Sequence, residues 1–212
     1  MHTQKTDILT DACNLKLDEF VKFYLTLANK SLNHLGIHSE NASIIATSLA
    51  KEIGYNSNET QLIEYAGLLH DIGKLFVPAE LLNSARALTS IEFEIIKTHA
   101  NFGYGVLDNF KSLPQEIKYF AYEHHYRQGF GYPKRLLYSD GVDKVLVDIL
   151  TIADSFSAIM EPRVYKRNLT GQEAYIIMTD DTNEKNKGLN FEVLQVLKYL
   201  IEKQKITLKD FF

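Results

Sequence analysis

Cysteine is nearly absent from this 212-residue chain. Cys13 stands alone, so no internal disulfide can staple the fold, in keeping with a reducing compartment. Proline occurs only at Pro78, Pro114, Pro133 and Pro162, and β-type alternation is scarce. No run of 18 or more apolar residues occurs, and MHTQKTDILTD at the N-terminus carries no apolar signal core. We therefore expect no membrane span, no export signal and a cytoplasmic protein. Charge of one sign is also lacking. Lysine and arginine number 23 against 27 acidic residues, a formal −4 without like-charge blocks, which argues against a nucleic-acid polymer as partner. Repeats and low-complexity tracts are missing too.

What remains is the composition of one ordinary globular domain, 45% hydrophobic and 24% charged, long enough for a substantial core. Apolar residues recur at three- and four-residue steps, so the expected fold class is all-α, a single helical bundle. Leu17, Phe20, Val21, Tyr24, Leu25 and Ala28 predict a helix over 17–34. A second is expected from Ser39 to Ile53, stopped by Gly54, and a third from Asn58 to the His70–Asp71 pair. TSIE at 89–92 reads as a capping box opening a helix to His99. Pro114 suits the first turn of a helix ending near His124. Residues 142–160 are apolar on most faces and predict a buried central helix, and 190–204 a last amphipathic one. Loops are expected around 129–140 and 179–189.

One stretch contradicts its surroundings. Residues 68–78 read LLHDIGKLFVP, placing His70, Asp71 and Lys74 in an apolar run. A buried carboxylate is costly unless it is paired or holds a cation. Asp154 poses the same problem on the most apolar helix of the chain. Of six histidines, His34, His38, His70, His99, His124 and His125, nearly all fall at predicted helix ends or on apolar faces. Taken singly, each is ordinary: a lone histidine is most often a hydrogen-bonded core residue, and His124–His125 is compatible with an exposed helix end. Taken together they spell His, His-Asp, His, His-His, Asp. A bundle can bring such helix ends to one metal-binding point.

This order resembles the HD superfamily of metal-dependent phosphohydrolases, pattern H…HD…D, here His38, His70–Asp71 and Asp154. The finer resemblance is to the HD-GYP family, hydrolases of bacterial cyclic dinucleotides, chiefly cyclic di-GMP. HDIGK is met by residues 70–74, a KTH context by Lys97-Thr98-His99, and the His-His pair by His124–His125 followed by Gly131-Tyr132-Pro133. Ala153-Asp154 match the AD motif, and Arg163-Val164-Tyr165-Lys166 the downstream basic motif. The likeness covers roughly 35–205, which divides the chain into a lead-in over 1–34, an HD-GYP catalytic domain over 35–205 and a tail over 206–212. There are departures. The family's loop HHERWDGSGYP is here HHYRQGFGYP, one residue shorter, and Ser157 stands where a second aspartate is common. His34 occupies the position of a glutamate that some members use for a third metal.

The resemblance implies two divalent cations, iron or manganese, with zinc as the other option and a third metal at His34 as an extension. It implies that His38, His70, Asp71 and Asp154 hold one ion, and Asp71 with His99, His124 and His125 the other. Asp71 would bridge, and two cations roughly 3.5–4 Å apart would activate water and neutralise the phosphodiester. Lys74 would stabilise charge on the phosphate or orient the nucleophile. Arg163, Lys166, Tyr165 and Tyr132 would lie on the substrate side, and the Gly131-Tyr132-Pro133 loop would meet GGDEF-type cyclases. The implied activity is hydrolysis of cyclic di-GMP to linear pGpG, with continuation to GMP left open. The alternatives are an HD-type phosphohydrolase of another cyclic dinucleotide or nucleotide, and a weakly active cyclic di-GMP receptor or interaction module.

Overall fold

Helix boundaries in this protein follow from local signals that satisfy unpaired backbone groups. In a computed structural model that describes residues 3–32, 34–111, 113–127, 130–133, 143–161, 168–180 and 187–209, the elements run α1 Thr3–Ser31, α2 Leu35–Ile53, α3 Ser57–Leu69, a 3-10 turn Ile72–Phe76, α4 Ala79–Leu82, α5 Ser90–Asp108, α6 Glu116–Glu123, β1 Tyr126–Arg127, β2 Phe130–Gly131, α7 Lys144–Met160, α8 Gly171–Met178 and α9 Phe191–Glu202. Capping boxes open α3 (Asn56 with Glu59), α5 (Thr89 with Glu92) and α8 (Thr170 with Glu173). Asp143 and Asn190 cap α7 and α9. Gly54 closes α2 in the left-handed region, as expected of a residue just past a helix end.

The expected all-α class holds, with several boundaries moved. The first helix spans 3–31 rather than 17–34, and the second begins at Leu35 rather than Ser39, because His34 adopts φ 67 and turns the chain between them. The helix opened by TSIE continues past His99 to Asp108. Gly103 sits inside it, facing the 3-10 turn. The α8 helix was not expected, although TGQE at 170–173 carries the same capping signature as TSIE. Of the expected 129–140 loop only 130–133 are described, and there Phe130–Gly131 pairs antiparallel with Tyr126–Arg127, Tyr126 opposite Gly131; 181–186 of the expected 179–189 loop lie outside the described residues.

Two apolar cores hold the bundle. One joins Ile45 and Leu49 of α2, Ile63 of α3, Phe120 of α6, Ile149, Leu150 and Phe156 of α7, and Leu197 of α9. The other joins Leu17, Val21 and Tyr24 of α1 to Leu69, Ile72, Leu107 and Ile117. Full burial of such a side chain stabilises by about 1.5–3 kcal/mol. The expected central role of the 142–160 segment is met by α7, whose residues 149, 150, 152 and 153 are wholly inaccessible. Between the cores, α3 ends, the chain tightens into the 3-10 turn, and that turn lies directly on α5. A Cβ at residue 73 would stand 1.9 Å from the His99 carbonyl oxygen and 2.5 Å from the Gly103 nitrogen. Only glycine permits this approach, and it sets Asp71 beside His99. Among the described residues no helix is long and apolar enough to cross a membrane.

Candidate metal centre

His38 from α2, His70 and Asp71 from the end of α3, His99 from α5, His124 and His125 from the end of α6, and Asp154 from α7 converge on one point. All but His125 are buried. They form two sets of donor atoms that share Asp71: His38, His70, Asp71 and Asp154 in one, Asp71, His99, His124 and His125 in the other. Asp71 divides its oxygens between them. Its Oδ2 lies 3.5 Å from His38 Nε2 and 3.2 Å from His70 Nε2, while its Oδ1 lies 3.5 Å from His99 Nε2 and 3.7 Å from His124 Nε2. Asp154 Oδ1 is 3.0 Å from His38 Nε2, and its Oδ2 is 3.4 Å from His125 Nδ1.

The imidazoles are aimed by backbone. The Nδ1 of His70, His99 and His124 each donates to the carbonyl three residues earlier, Gly67, Ile96 and Ala121, at 2.8, 2.6 and 3.0 Å. A ring held this way turns Nε2 inward, and a neutral ring then carries its lone pair there. His99 and His124 consequently face each other through their Nε2 atoms at 3.3 Å. Buried His70 Nε2 and Asp71 Oδ1 have no hydrogen-bond partner. Leaving such groups unpaired costs about 1–3 kcal/mol each. Converging nitrogens and carboxylate oxygens, two of them orphaned, fit a pair of divalent cations.

Protonation follows the same division. Burial lowers His99, and burial together with the His125 ring takes His124 well below the usual imidazole range. Burial drives His125 down to about 3, so these three rings are neutral donors at neutral pH. Against the effect of burial, Asp154 and Glu161 carry His38 up to about 10, and Asp71 and Asp154 carry His70 up to about 9. Burial also opposes ionisation of Asp71, but Lys74 and His70 outweigh it and hold the carboxyl well below its ordinary value.

Lys74 pairs with Asp71 across the 3-10 turn rather than along a continued α3. Its ammonium reaches a cleft of about 370 Å³ that also exposes His38, His125 and Asp154. His34 lines this cleft too but joins neither donor set. Tyr132 packs on His125, ring centroids 4.6 Å apart, with its peptide to Pro133 cis, and is not among the cleft residues. Gly131 makes that packing feasible, since its φ is 74 and a Cβ would lie 2.1 Å from the His125 carbonyl oxygen. Arg163, Tyr165 and Lys166 lie outside the described residues.

Among the cleft residues that the sequence did not single out are Arg127, Glu161 and Asn83. Arg127 lines the cleft from β1 and donates to Ser155 Oγ at 2.9 Å. Burial lowers its pKa, but a guanidinium stays protonated in proteins, so it keeps its charge. Its signal was position, two residues past the histidine pair. Glu161 accepts from His38 Nδ1 at 2.7 Å, and Asn83 completes the wall.

A family model described as HD domain matches residues 23–186. The cyclic di-GMP phosphodiesterase PdeB of Borreliella burgdorferi is 31% identical over 167 residues, covering 78% of this chain and 43% of PdeB. The 3'3'-cGAMP-specific phosphodiesterase 2 of Vibrio cholerae is 32% identical over 140 residues, covering 65% of this chain and 26% of its own length. The chain thus spans less than half of each of these relatives. Among solved structures, the HD domain of the L. monocytogenes phosphodiesterase PgpH superposes with a TM-score of 0.59 at 19% identity, over 86% of this chain and 97% of that domain. That likeness concerns the fold.

Proposed function

The chain belongs to the HD domain family, of the HD-GYP type, and we propose that it is a binuclear metal phosphodiesterase that opens cyclic di-GMP to linear pGpG and then to GMP. The observation carrying this reading is the division of the Asp71 carboxylate, one oxygen toward His38 and His70, the other toward His99 and His124. His38, His70, Asp71 and Asp154 would hold one cation, and Asp71, His99, His124 and His125 the other. When bound, the two ions supply charge neutralisation and a water of lowered pKa. The nitrogen-rich set with a shared carboxylate suits iron or manganese.

The chain's own groups do the rest. The backbone carbonyls of Gly67, Ile96 and Ala121 keep three imidazoles oriented, so no reorganisation is needed during turnover. Lys74 is charged, anchored on Asp71 and open to the cleft, where it meets the negative charge that develops on the phosphoryl oxygens. Arg127 offers a guanidinium fork to a phosphate in the same cleft. Arg163 and Lys166 are assigned the same task by the motif they match, and Tyr165 a stacking face. Tyr132 acts from behind, holding the His125 ring. The Gly131-Tyr132-Pro133 loop, exposed at Gly131 and half-buried at Tyr132 and Pro133, is the surface offered to a GGDEF-type cyclase.

A second reading, preference for a mixed cyclic dinucleotide, draws on the comparable identity to the cGAMP-specific relative and on the shortened HHYRQGFGYP loop. Chromatography of products from cyclic di-GMP, 3'3'-cGAMP and cyclic di-AMP, with anaerobically purified protein before and after chelation, tests both. Chelator-sensitive pGpG formation from cyclic di-GMP supports the first reading. Faster turnover of cGAMP supports the second, and no turnover of any of them overturns both.

A further inference from the structure

The His38 ring differs from the other imidazoles in how it is held. His70, His99 and His124 are aimed by a carbonyl of their own helix. His38 has no such bond in α2; its Nδ1 points across to α7 instead, 2.7 Å from Glu161 Oε1 and 3.2 Å from Ser157 Oγ. The Ser157 hydroxyl has its own acceptor, the His38 carbonyl oxygen at 3.3 Å, so the short and charge-assisted contact is the one to Glu161. Ser157 and Glu161 are four apart at the C-terminal end of α7 and therefore share a face. Ser157 presents only a hydroxyl to the ring, and the only carboxylate on His38 Nδ1 among the described residues comes from one helical turn further on.

We infer that Glu161 is the positioning residue for His38: its carboxylate takes the Nδ1–H, locks the ring and turns Nε2 toward Asp71 and Asp154. A carboxylate on the far nitrogen also raises the basicity of the nitrogen that ligates, which is why such outer partners are worth roughly 10–100-fold in metal affinity. Glu161 lies at the C-cap of α7 with a side chain 26% exposed. The inference rests on the metal-centre reading above.

The test compares wild type, Glu161→Ala, Glu161→Gln and the double variant Ser157→Asp/Glu161→Ala, each first shown to keep the wild-type far-ultraviolet circular dichroism. Manganese affinity and stoichiometry are measured by electron paramagnetic resonance titration of chelator-stripped protein. Wild type should take up two ions. Glu161→Ala should bind one of them about 10–100-fold more weakly, leaving the other unchanged. Glu161→Gln keeps an acceptor without the charge and should fall between. The double variant should recover most of the loss, since an aspartate at 157 reaches the same ring from one turn back. Wild-type affinity in Glu161→Ala, or failure of the folded double variant to regain any, overturns the inference while leaving the metal centre standing. Absence of manganese binding in wild type overturns both.

Discussion

Gly73 and His99 meet backbone to backbone, so closely that a methyl group on residue 73 would stand 1.9 Å from the His99 carbonyl oxygen. The contact joins the two halves of the candidate centre, because Asp71 precedes Gly73 by two residues and His99 faces Asp71 Oδ1 at 3.5 Å. Gly73→Ala should therefore push the 3-10 turn off α5. Overpacking of this kind costs about 1–3 kcal/mol. Urea denaturation of the metal-free protein should show that loss, and a variant as stable as wild type would contradict the contact.

Asp71→Asn keeps size and removes the charge that both donor sets share. Metal content by elemental analysis should fall from two ions per chain toward none, a larger loss than the roughly 10–100-fold typical of an outer partner. Retention of one tightly held ion would mean that the carboxylate serves a single site.

Lys74→Ala removes the ammonium next to Asp71 without touching a histidine. Both metals should remain bound while turnover falls by about 10²–10³-fold, the usual cost of one preorganised electrostatic partner. Unchanged kcat in a fully loaded variant would refute a role at the phosphate.

Arg127→Ala should act on capture. With Ser155 as its only hydrogen-bond partner among the described residues, the guanidinium is free to grip a phosphate, so KM should rise several-fold with kcat little altered. A drop confined to kcat would place Arg127 at the reacting atoms instead.

Adding manganese to stripped protein at a hundred times its Kd should stabilise the fold by about 2.7 kcal/mol per site. For a chain of this size that is a rise in Tm of roughly 5–11 °C per site. A Tm indifferent to manganese would show that the converging side chains hold no ion.

Much of this was readable along the chain. The periodic apolar positions of α2, α3, α7 and α9 announced an all-α bundle, and the expected buried helix at 142–160 is α7. The caps TSIE and Gly54 marked real boundaries. The α5 helix was cut short because nothing in its own residues tells that Gly103 is tolerated for its contact with the 3-10 turn. The break at His34 was equally silent, since a left-handed histidine has no sequence signature comparable to glycine.

By itself, the order of histidines and aspartates determined which residue types were available for a metal centre, because apolar periodicity and buried charge are properties of short stretches. Tertiary structure alone decided how Asp71 splits its oxygens, that Tyr132 backs His125 rather than lining the cleft, and that Glu161 and Arg127 line the cleft. Those relations join α2 to α7 and the β-hairpin to α7 across more than a hundred and nearly thirty residues respectively. They are set by how helices pack, which no local pattern encodes.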